Sequence, residues 1–149
     1  MMGGWNPLLD RGDGVWVGVV DGGLIGVGSR DAVSKTAVGG NYIPLWPLLE
    51  RDLVEVLSLL AGSWDDFSSS GFDSPECLVQ VIVDSAIRSG SSYWIALSLR
   101  WLVGMSACEG FSPPDVRNSL IQVVESPHAG QQVRHEARRC IKSLDLPGS

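Results

Sequence analysis

The sequence predicts a mainly α protein, a short α-solenoid of about five helices with an N-terminal β-hairpin. Three observations carry that expectation. First, Ser74-Pro75 recurs 38 residues on as Ser112-Pro113, and the apolar positions that follow recur in the same register. Leu78 answers to Val116, Ile82 to Leu120, Ala86 to Val124, Ile95 to Val133, Leu99 to Ala137, Leu102 to Cys140 and Val103 to Ile141. A fixed period of this size marks stacked two-helix units, which usually serve as binding surfaces. Second, apolar residues fall at helical spacing from Leu45 onward. Third, two β-branched runs near the N-terminus flank a short glycine-containing turn.

The 149 residues are expected to form a single domain, with 1–44 as lead-in and hairpin, 45–73 as a helix plus acidic connector, and 74–146 as two helical hairpins. A chain of this length buries roughly 70% of its unfolded surface. Residues 1–14, rich in glycine and aspartate, read as irregular. Val15-Trp16-Val17-Gly18-Val19-Val20 and Leu24-Ile25-Gly26-Val27 then flank Asp21-Gly22-Gly23, the hairpin signal, although glycine within a strand weakens it. Residues 29–44 show no regular period, and Gly39-Gly40-Asn41 breaks the chain before Pro44. Leu45, Leu48, Leu49, Leu53, Val56, Leu57 and Leu60 lie on one stripe and predict a single helix over 45–61. Pro47 would sit in its first turn, where a missing N–H costs little. Gly62 stops that helix, and a serine-rich connector (Ser68-Ser69-Ser70-Gly71) follows.

In each repeat unit Ser is placed as N-cap and Pro as first helical residue, with Glu76 or Asp115 suiting the positive helix end. Helices are expected over 76–88, 92–107, 114–125 and 131–144. The second carries two apolar stripes, Ile95-Leu99-Leu102-Val103 and Trp94-Leu97-Trp101-Met105, so it is expected to lie between neighbours. The last carries one stripe (Val133, Ala137, Cys140, Ile141, Leu144) and shows Arg134, Arg138 and Lys142 on the other side, as a terminal repeat requires.

The run Val133-Arg134-His135-Glu136-Ala137-Arg138-Arg139-Cys140-Ile141-Lys142-Ser143-Leu144 resembles the second helix of a HEAT repeat, with its Val-Arg, Ala, Ala-Leu-Gly and Leu pattern. Ile95, Leu99, Leu102, Val103 and Gly104 fit the same frame one unit earlier. The resemblance covers residues 74–146. Ala96 stands where the family has Arg, and Cys140 and Lys142 stand where Ala and Gly are usual. The resemblance implies a curved stack of helical hairpins that grips another macromolecule.

No constellation for catalysis emerges, and the sequence predicts a non-enzyme with no cofactor and no metal. The glycines of GGLIGVG do not fit GxGxxG, and Ser34-Lys35-Thr36 lacks the glycines of a phosphate loop, so a tight hairpin explains both. His128 and His135 are the only histidines, and His135 and Cys140 project from different sides of a helix. Cys77, Cys108 and Cys140 are odd in number, without a CxxC pair, and read as reduced thiols. Asp65-Asp66 are adjacent in a connector, where neighbouring side chains diverge. Arg11-Gly12-Asp13 matches an adhesion tripeptide at chance frequency. The longest apolar run, Trp94 to Met105, is interrupted by Ser98 and Arg100 and falls short of the ~20 residues of a membrane span. With no basic leader or apolar h-region at the N-terminus, a cytoplasmic location is expected.

Charge is the remaining signal. Between Glu50 and Glu76 lie seven carboxylates (Glu50, Asp52, Glu55, Asp65, Asp66, Asp73, Glu76) and one cation, Arg51, so this segment carries the whole net charge of −6. Such a segment repels nucleic acid and attracts basic partners. Trp64 and Phe67 stand inside it, outside any periodic stripe, where they are expected either as interface anchors or as residues folded back on the helices. The expected partner surface is Trp64, Asp65, Asp66, Phe67, Asp73 and Glu76. The expected function is protein binding without nucleic acid or membrane. In size, charge and repeat character the chain is similar to bacterial immunity proteins, which implies a cognate, basic toxin as partner. A scaffold or adaptor subunit is the alternative, and a small-molecule enzyme built on the glycine-rich hairpin is a further one. Arg134, Arg138, Arg139 and Lys142 are expected as a solvated cap face rather than a phosphate site.

Overall fold

The computed structural model describes residues 4–21, 23–37, 41–67 and 70–145. Gly22 of the hairpin turn, Gly39 and Gly40 of the breaker, Ser68 and Ser69 of the connector, and Leu146 at the end of the second repeat lie outside the described residues. The chain is mainly helical with an N-terminal four-stranded antiparallel sheet. It divides into two compact units, 1–79 and 80–149.

In the first unit the strands β1 (Asn6–Asp10), β2 (Trp16–Val19), β3 (Ile25–Gly28) and β4 (Val33–Thr36) follow one another as a meander in the order β1-β2-β3-β4. The expected hairpin is its centre, with Trp16 opposite Gly28, Val17 opposite Val27 and Val19 opposite Ile25. Two strands exceed the expectation. Residues 6–10, read as irregular, pair with β2, and residues 33–36, read as aperiodic, pair with β3. Both outer pairings contain a register shift, between Pro7 and Leu9 on one side and between Val27 and Gly28 on the other.

The glycines inside β2 and β3 explain how those shifts are tolerated. A Cβ on Gly18 would collide with the Asn6 carbonyl oxygen and lie 2.8 Å from the Cα of Pro7. On Gly28 it would collide with the Ala32 carbonyl oxygen and lie 2.7 Å from the Cα of Val33. Each glycine sits where a neighbouring backbone presses in, the recognised use of glycine within a strand.

The single helix expected over 45–61 is two elements. A 3-10 helix spans Ile43–Glu50 with Pro47 inside it, and α1 spans Leu53–Gly62. Asp52 divides them: its backbone is extended and its carboxylate accepts the Glu55 N–H at 3.2 Å, an N-cap that starts a new helix. The apolar stripe survives the break. Leu45, Leu48, Leu49, Leu53, Val56 and Leu60 are all buried, with Leu9, Val17, Val19, Ile25 and Val27 of the sheet also in the core. The 3-10 helix packs on β3. Two arginines tie the end of β1 to these elements: Arg11 donates to the Pro44 carbonyl at 2.8 Å, and Arg51 donates to the Asp10 carbonyl. Arg11 also pairs with Asp13 and holds that carboxyl below the usual range, so Arg11-Gly12-Asp13 is a local structural turn.

Helix α2 (Trp64–Phe67) is one turn, packed on α1 and β2. Helix α3 (Pro75–Ile87) crosses the boundary between the units, and α4 (Ser92–Ala107), α5 (Pro113–Glu125) and α6 (Gln131–Asp145) complete the second. The echo is carried into these boundaries, since α3 and α5 both have 13 residues and α5 begins and ends 38 residues after α3. Leu78 and Val116, and Ile82 and Leu120, are buried at matching positions. Val133, Cys140 and Ile141 of α6 are half-buried where Ile95 and Leu102 of α4 are fully buried. Val103 departs from its expected stripe and is 46% exposed. Ser91 caps α4 by accepting the Trp94 N–H, and Ser74 accepts the Cys77 N–H, whereas Ser112 makes no side-chain cap bond. Helix α4 packs on α5 and α6, and α5 packs on α6.

A buried hydroxyl stitches α3 to α5. Ser119 donates to the Asp84 carboxylate and accepts from the Gln80 amide at 2.8 Å. Removing that hydroxyl leaves two polar side chains short of a partner, which costs about 1–3 kcal/mol. Ser119→Ala is therefore expected to lower stability by that amount in denaturant unfolding. An unchanged midpoint would mean that water takes the place of the hydroxyl.

Candidate functional site

The acidic segment is built on the 3-10 helix, α1, α2 and the first turn of α3. Asp52 caps α1, Glu55 forms an ion pair with Arg51 one helical turn away, and Glu76, half-buried, stands in the first turn of α3 where the helix end is positive. Glu50, Asp65, Asp66 and Asp73 are exposed. All four belong to the first unit.

Helix α2 separates the expected anchors. Its turn is closed by the Asp66 and Phe67 N–H groups, both donating to the Ser63 carbonyl. That geometry sends Phe67 inward, where it is wholly buried, and leaves Asp65 and Asp66 exposed. Trp64 is half-buried and stacks on Phe67, with ring centroids 6.0 Å apart and planes 27° apart. Ser70 donates to the Phe67 carbonyl at 2.6 Å, and Tyr42 meets Phe72 edge-on at 6.4 Å. Of the six residues expected at a partner surface, Asp65, Asp66 and Asp73 are exposed, Trp64 and Glu76 are half-buried, and Phe67 belongs to the core. A partner reaches Phe67 only if α2 opens.

No protein-family model, curated protein or solved structure matches this chain.

The other sequence signals resolve locally. GGLIGVG runs into the interior strand β3, and Ser34-Lys35-Thr36 lies in β4. Cys77 is exposed and Cys108 and Cys140 are half-buried, all three as free thiols, and the Cys140 thiol donates to the Ser106 hydroxyl at 3.8 Å. Among the described residues no three metal-ligating side chains come together, and no helix is long and apolar enough to cross a membrane. On α6, Arg134 donates to the Ala129 carbonyl at 3.0 Å, while Arg138, Arg139 and Lys142 are exposed.

Sequence reasoning missed the outward side of α1. Val54 is 63% exposed and Leu59 is 39% exposed, on a helix whose opposite side supplies Leu53, Val56 and Leu60 to the core. The signal was present in the sequence, because Val54 and Leu59 are apolar residues that fall off the buried stripe.

Proposed function

We propose that this chain is a non-catalytic protein-binding module whose acidic segment receives a basic protein partner, and that it acts as an immunity protein neutralising a cognate bacterial toxin in the cytoplasm. One observation carries the reading: Glu50, Asp65, Asp66 and Asp73 stand exposed within a segment holding the whole net charge, on elements anchored by a packed core. A surface field of one sign steers an oppositely charged protein and speeds its encounter. The residues 74–146 are read as two HEAT-like hairpins, in support of which α3 and α5 have equal length at the repeat spacing.

Reversing charge at the site tests this. Asp65→Lys with Asp66→Lys is expected to slow association with the captured partner about tenfold or more at low salt. Stability should stay within about 0.5 kcal/mol, because both side chains are exposed. Equal association rates would remove the carboxylates from the interface. A pull-down from the source cells without a stoichiometric protein would sink the binding role itself. Rescue of toxin-expressing cells on co-expression separates immunity from an adaptor subunit.

A further inference from the structure

We propose that the outward face of α1 is a docking surface for a basic amphipathic helix of the partner, with the acidic segment as its rim. This rests on the protein-binding reading above and adds the surface used and the chemistry of what it takes.

The exposed side of α1 consists of Val54, Glu55, Ser58, Leu59, Ala61 and Gly62. At 100° per residue these positions cover an arc of roughly 160°. The solvent side of an ordinary surface helix is charged. Here its single charge is Glu55, and that carboxylate is engaged by Arg51. A lone exposed valine would mean little, since such residues are common on surfaces. The composition of the whole face is what points to a partner. Gly62, the last residue of α1, has open space beside it: among the described residues a Cβ there would meet nothing within 4 Å outside its own helix and chain neighbours. Together with Ser58 and Ala61 it leaves room for another backbone to approach closely.

Charge decides the occupant. Glu50 and Asp52 precede this face and Asp65 and Asp66 follow it, all exposed. Two copies of the chain meeting through α1 would set these carboxylates against one another, which disfavours a second copy. A partner carrying Lys or Arg at both ends of an apolar stripe meets apolar surface with apolar surface and rim with opposite charge, as interfaces are ordinarily built. The ten residues of α1 extend about 15 Å, enough to support a docked helix in the helix-on-surface mode.

The probe is a synthetic leucine–lysine peptide patterned as an amphipathic helix, with a scrambled peptide of the same composition as its control. Binding is measured by titration calorimetry on the full chain. The patterned peptide is expected to bind and the scrambled one to bind more weakly. Val54→Ser with Leu59→Ser, a neutral change, should weaken the patterned peptide about tenfold or more, with the melting temperature maintained. Ala61→Gln, which adds bulk on the same face, should weaken it as well and keeps the test open if the double variant unfolds. Absence of binding by the patterned peptide overturns the proposal. So does unchanged affinity in the α1 variants; if Asp65→Lys with Asp66→Lys still weakens binding in that case, the acidic-segment reading survives and the α1 surface alone falls. Conversely, loss in the α1 variants with no effect of charge reversal removes the basic partner and the acidic reading together. Concentration-dependent self-association of the chain that the α1 variants abolish gives the face to a second copy, and overturns the proposal too.

Discussion

Gly18→Ala is expected to destabilise the N-terminal unit by about 3 kcal/mol, the upper range for forcing atoms into a packed site. The new methyl would overlap the Asn6 carbonyl oxygen and crowd the Cα of Pro7, so the obstacle is backbone rather than a side chain that turns aside. Relief requires β1 to move off β2, and that breaks the pairing of Asn6 with Val19 and of Pro7 with Gly18. The measurement is thermal unfolding combined with hydrogen exchange, where lost protection should concentrate in residues 6–19. Gly62→Ala is the control, since among the described residues a Cβ there would meet nothing within 4 Å outside its own helix and chain neighbours. A Gly18→Ala chain that melts like the parent would show that β1 does not lie against Gly18.

Phe67→Ala is expected to cost about 3–5 kcal/mol, the range for truncating a buried aromatic. Phe67 is wholly buried, and its loss also removes the surface on which Trp64 stacks. Charge reversal at the neighbouring Asp65 and Asp66 should leave stability nearly unchanged, so adjacent residues of one helical turn separate into core and surface roles. Denaturant unfolding decides the first effect and association kinetics the second. If Phe67→Ala weakened partner binding without touching stability, the ring would belong to the interface and α2 would have to open on binding.

The helices from Pro75 onward were legible because their signals are local. The cap at Ser74, the prolines at the starts of α3 and α5, and apolar spacing all act within a few residues. The outer strands were not legible because nothing local marks them. Asn6–Asp10 contains a proline and a terminal aspartate, and Val33–Thr36 is an exposed, polar strand, so both are defined by what they pair with. The break at Asp52 was hidden by an apolar stripe that continues across it, although Asp52 followed by Glu55 is itself a capping signal. The acidic segment could be read from composition alone. Which way α2 would turn Phe67 depended on the packing of α2 on α1 and β2.

The register shifts at the two ends of the sheet also bear on how the protein behaves when crowded. A flat, regular edge strand offers a row of unpaired backbone groups on which another chain can grow. Here β1 carries Pro7, which has no N–H to offer, beside an irregular pairing, and β4 is four residues long, bears Lys35, and stands next to the second irregularity. Short, interrupted, partly charged borders are poor templates for sheet extension. Gly18 and Gly28, which admit those irregularities, thereby help to guard a four-stranded sheet against aggregation as well as to hold its shape.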